Sequence, residues 1–171
     1  MITKKKIALT AAAAAALSLV GTVTAVQAAE LSTPAAPEGF QTAASARAEF
    51  RSLEGEGVLP DGVAWPAIAP AELSEEGAVF QEGYLDVSLG LYSICAWEDA
   101  LVSATDADDA AGAKEALAAL SATTSTAWFT TYTADTMSSW EKDVVDTAAS
   151  GDLSRVRADL ESCGYFYENQ Q

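Results

Sequence analysis

Six consecutive residues, Ile94-Cys95-Ala96-Trp97-Glu98-Asp99, bring together a thiol, an indole and two carboxyls. Such a set could supply a nucleophile, a stacking surface and an acid, and the rest of the chain limits the choice. The sequence contains no histidine. That absence removes Ser-His-Asp and Cys-His catalysis, imidazole acid–base work and His-containing zinc sites. Two cysteines, Cys95 and Cys163, are too few for a zinc site of four thiolates. No Gly-rich phosphate loop with a following Lys occurs, and no dinucleotide fingerprint. No metal, cofactor or catalytic residue is therefore assigned. Asp106-Ala107-Asp108-Asp109 opens like a calcium loop, but the sixth position is Ala111 and the twelfth Leu117, where an EF-hand needs Gly and Glu. These acids read as helix-cap and first-turn residues.

Glu98 is harder to place. At 100° per residue it falls in line with Phe80, Tyr84, Leu91 and Val102, in the middle of an apolar stripe. A carboxyl there is costly unless paired or hydrogen-bonded. One reading is a structural ion pair with Arg47, Arg51, Lys114, Lys142, Arg155 or Arg157. The other is an acid of raised pKa at a pocket edge, suited to general-acid work or to a polar ligand. Asp99 lies off the stripe, where water reaches it. Trp97 sits at the border of the stripe, placed to pack on a disulfide. Trp65, Trp97, Trp128 and Trp140, with Tyr165, Phe166 and Tyr167, read as core-packing residues, a sugar-stacking surface being the alternative. Arg157 and Glu161, four apart, are expected to form a minor surface pair.

The elements that must hold these residues begin after an export leader. Lys4, Lys5 and Lys6 form a positive n-region, Ile7 to about Val20 an apolar h-region, and Val26-Gln27-Ala28 a cleavage site after Ala28. The rival reading is an uncleaved N-terminal membrane anchor, for which about 20 apolar residues are needed. The full chain has a formal charge of −16; without the leader, 6 basic residues face 25 acidic ones, giving −19. That charge disfavours nucleic acid and anionic membrane surfaces as partners and leaves cations, basic peptides or neutral ligands open. An even cysteine count in an exported protein reads as one disulfide, Cys95 to Cys163.

Residues 29–41 read as a flexible linker and 42–171 as one helical domain. A short helix is expected over 42–57, with Phe50 and Leu53 on one side. Pro60, Pro66 and Pro70 then forbid a helix and favour an extended segment packed through Val58, Leu59, Val63, Trp65 and Ile68. Ser74 reads as the N-cap of a long helix reaching to about Ala104, apolar on two sides and hence central. Gly77, Gly83 and Gly90 within it are expected to admit a close neighbour. Thr105-Asp106 caps the next helix, Asp135 or Thr136 opens another that ends at Ser150-Gly151, and Asp152 caps the last. Leu153, Val156, Leu160 and Cys163 share its face. The fold class is all-α, a small four- or five-helix bundle with one disulfide.

LPDGVAWP, EEGAVFQEGYLDVSLGLYSICAWEDAL and the late cysteine together resemble small exported proteins of high-GC Gram-positive bacteria. The resemblance spans roughly residues 58–103 plus Cys163, with C-A-W-E its most specific part, and it implies export but no activity. The function expected is non-enzymatic binding, with a possible partner at the cell envelope or outside the cell. The alternative is a carboxylate-only, glycan-cleaving hydrolase using Glu98 and a second acid roughly 5–10 Å away across a cleft.

Overall fold

A computed structural model describes residues 36–171 except 54, 56, 134–136 and 138. The leader, the first part of the linker and the helix start expected at Asp135 or Thr136 lie outside the described residues.

The described chain is mostly helical, with one element that the all-α reading lacks. Strands β1 (Phe40–Thr42) and β2 (Val79–Gln81) form an antiparallel ribbon pairing Phe40 with Gln81 and Thr42 with Val79. Three residues per strand are too few to show an alternating pattern. β1 takes up the last two residues read as linker and leads directly into α1 (Ala43–Phe50). Thr42 caps α1, its hydroxyl accepting from the Ser45 N–H at 3.2 Å. Ala46 of α1 packs with Leu73 and Leu85 in a small cluster that Phe50, Leu53 and Phe80 join.

The long helix α2 covers Tyr84–Asp106, nine residues later in its start than the Ser74 cap implies. Ser74 instead ends a 3₁₀ turn, Ala71–Ser74. Gly77 and Gly83, at φ +79° and +83°, take the left-handed conformation on either side of β2 and interrupt any helix there. Glycine also lets neighbours approach. A Cβ on Gly90 would collide with the Trp128 ring, and one on Gly83 with the Tyr132 ring. At its other end α2 runs through Asp106, so Thr105 and Asp106 are its last turn, not a cap.

Asp109 caps α3 (Ala110–Thr123), accepting from the N–H groups of Ala111 and Gly112 at 3.1 Å each. A π-helical turn follows at Phe129–Thr133, and a π-helical stretch, Glu141–Asp146, runs into the single turn α4 (Thr147–Ala149). Gly151, at φ +93°, closes this segment at the expected place. Then come α5 (Ser154–Leu160) and α6 (Gly164–Glu168), so the single last helix expected here is broken in two before Cys163.

As expected of a central helix, α2 packs on α3, α5, α6 and the first π turn. Between α2, α3 and the π segments lies the main core, with Ile94, Leu101, Leu120, Trp128, Trp140 and Val144. A second cluster, Tyr92, Ala96, Cys163 and Phe166, sits where α2 meets the chain end. No helix among the described residues is long and apolar enough to cross a membrane.

Candidate functional site

Cys95 and Cys163 are joined, with their Cα atoms 5.8 Å apart. This confirms the expected disulfide and gives the thiol of the opening stretch a structural role. Such a bond belongs to an oxidising compartment.

Trp97, Tyr92 and Tyr165 hold down the proline-rich segment. The Trp97 indole N–H donates to the Val58 carbonyl at 2.9 Å. Tyr92 donates its hydroxyl hydrogen to the Ala64 carbonyl at 2.8 Å while accepting from the Gln170 amide at 2.7 Å. Tyr165 donates to the Ile68 carbonyl at 2.6 Å, and the Ile68 N–H donates to Asn169 at 3.0 Å. Residues 58–70 thus form a strap fastened through its backbone. Leu59, Val63 and Trp65 pack inward as expected. Val58 and Ile68 do not; they are 78% and 59% exposed, because their carbonyls, not their side chains, make the attachment. Of the four indoles, Trp97, Trp128 and Trp140 are core residues and Trp65 lies in the strap.

Glu98 is 0% exposed, and neither carboxyl oxygen has a hydrogen-bond partner. The ion pair expected for it is not formed. The salt bridge seen among the described residues joins Arg157 to Asp106 at 2.6 Å, so Arg157 turns towards α2 and not to Glu161 as its i,i+4 spacing suggests. Burial, reinforced by the charge of Asp159 on α5, pushes Glu98 up to about 8. The acid is therefore largely protonated at neutral pH. Asp99, half-buried, accepts from the Tyr167 hydroxyl at 2.9 Å. Burial, then this bond, pushes that phenol up to about 12.

Beside the disulfide lies a groove of about 200 Å³ that sequence reasoning missed. It is lined by Pro70 and by Glu72 of the 3₁₀ turn, by Tyr84, Leu91 and Cys95 of α2, and by Tyr165 and Phe166 of α6. Tyr84 donates to Glu72 at 3.4 Å. Leu91, expected in the buried stripe, is 41% exposed here. Periodicity could place these residues on α2, but it could not show that the strap and α6 leave this part of the helix uncovered. Glu98 does not line the groove. Two further grooves, near Tyr132 at the ribbon end, involve Gly83 and Glu82 and are shallower in aromatic character. Among the described residues no group of three or more acids or thiols is placed to hold a metal ion. Compared with family models, curated proteins and solved structures, the chain matches none.

Proposed function

We propose that this chain is exported, with its leader removed after Ala28, and serves as a non-enzymatic binding domain at the cell envelope or outside the cell. The observation that carries this reading is the aromatic-walled groove beside the disulfide. Apolar concavities with a few polar groups are the usual form of a ligand site. The leader composition, the disulfide and the acidic balance support the location. A sedimentation assay of the secreted, oxidised protein with isolated cell-wall and membrane fractions tests it, alongside a thermal-shift panel of glycans, peptides and small organic ions. Saturable retention or a ligand-dependent rise in Tm is expected; neither in any arm would sink the proposal.

A second reading rests on Glu98, a carboxyl held protonated near neutral pH beside a second acid, Asp159. Paired carboxyls of divergent pKa are the working parts of glycan hydrolysis. Its full burial speaks against substrate access. Release of reducing ends from cell-wall glycan by the native protein, lost in Glu98→Gln, would favour this reading over the first.

A further inference from the structure

The groove beside the disulfide has an unusual balance of groups. Its wall carries the rings of Tyr84, Tyr92, Tyr165 and Phe166, and among the described residues its one charged side chain is Glu72. Among the described residues no lysine or arginine lines it. Arg47, which reaches the same 3₁₀ turn, donates to the Leu73 carbonyl. Glu72 has no ion-pair partner among the described residues.

The polar capacity of the wall is largely committed. The Tyr92 hydroxyl serves Ala64 and Gln170, and the Tyr165 hydroxyl serves Ile68. A sugar, which needs several free donors and acceptors, finds few here. A divalent cation needs several oxygen ligands, and Glu72 offers a single carboxylate. An anion would meet Glu72 and a strongly negative chain. What the wall offers is ring surface, the exposed edge of Leu91 and one carboxylate. Burial raises the Tyr165 phenol well above its ordinary value, so its hydroxyl stays neutral and Glu72 is the charge the groove presents.

We infer that this groove binds a small organic cation, a methylated or quaternary ammonium, with its alkyl groups against Tyr84, Tyr165 and Leu91 and its charge towards Glu72. The inference rests on the binding-domain reading and narrows it to a ligand class. Aromatic rings attract such cations through their electron-rich faces. A volume of about 200 Å³ suits a headgroup-sized ligand and is too small for a peptide strand.

The test is calorimetric titration of the secreted, oxidised protein with tetramethylammonium chloride and with choline chloride, at constant ionic strength set by sodium chloride. 3,3-Dimethylbutan-1-ol, the uncharged shape-match of choline, and N-acetylglucosamine form the comparison arms. Saturable binding of both cations is expected, with the neutral alcohol at least tenfold weaker. Glu72→Gln, at an exposed position, should weaken choline at least fivefold. Ser162→Lys, which brings a positive charge to the groove rim without touching the core, should abolish binding. Unchanged melting curves establish that both variants are folded. Equal affinity for choline and the alcohol, or saturable binding of the sugar alone, overturns the cation assignment while the binding-domain reading stands. No heat and no amide shift at Leu91, Cys95 or Tyr165 with either cation also overturns it. The binding-domain reading is then judged separately by retention on cell-wall and membrane fractions.

Discussion

Glu98 on α2 is held protonated first by its burial and then by the charge of Asp159 on α5, and no cation among the described residues pairs with it. The raised pKa has a definite sign for stability. The folded state keeps its proton up to about pH 8, whereas the unfolded chain releases it near 4.5. The contribution is thus complete below the unfolded value and is lost as pH rises from 4.5 through 8. The loss amounts to at most about 5 kcal/mol across that window. Urea unfolding at pH 5 and pH 8.5 should show it, and Glu98→Gln should flatten the difference. At pH 5 the variant should melt close to the native protein, and at pH 8.5 above it. A variant that melts lower at both pH values would mean that Glu98 has a stabilising partner after all.

The disulfide spans 68 residues of sequence. Replacing both Cys95 and Cys163 by Ser should cost about 4 kcal/mol in the chain-entropy treatment, read as a lower urea midpoint. The reduced native protein should fall by a similar amount, and an unchanged midpoint would show that α2 and α6 hold together without the bond.

Gly90→Ala places a methyl group against the buried Trp128 ring. Overpacking of this kind costs about 1–3 kcal/mol, more than the helix propensity gained. Gly164→Ala, with open space around it, is the control and should leave Tm unchanged or slightly higher. The two variants should therefore shift thermal melting in different ways, and equal shifts would mean that the Trp128 ring moves freely.

Tyr165→Phe removes the hydrogen bond to the Ile68 carbonyl and keeps the ring. A loss of about 1 kcal/mol is expected, together with faster proteolytic cutting within residues 58–70. Tyr167→Phe, which removes the more exposed bond to Asp99, should leave that cutting rate unchanged.

Much of the helical plan is legible in the sequence because it rests on local signals. The periodicity of Leu85, Leu89, Tyr92 and Ala96 marks a central helix, and Gly151 ends the segment that Trp140 and Val144 anchor. The start of α2 is misplaced because Ser74-Glu75-Glu76 is a good cap wherever it stands. Only pairing with Phe40–Thr42, far away in sequence, turns Val79–Gln81 into a strand. The burial of Glu98 is expected from its stripe, although Phe80, which helps define that stripe, is not helical at all. Its missing partner is a matter of three-dimensional placement: Arg157, four residues from Glu161, is drawn to Asp106. The groove is invisible in the sequence for the same reason, since its sides come from three distant segments.

The fastening of the strap also sets which changes the segment tolerates. Its grip lies in the spacing of three carbonyls, at Val58, Ala64 and Ile68, met by Trp97, Tyr92 and Tyr165. Side chains at the outward positions can be exchanged with little consequence, since any residue supplies a carbonyl. Removing one residue between Val58 and Ile68 would put every later carbonyl out of step with its donor. Length, more than lettering, is what this stretch has to keep.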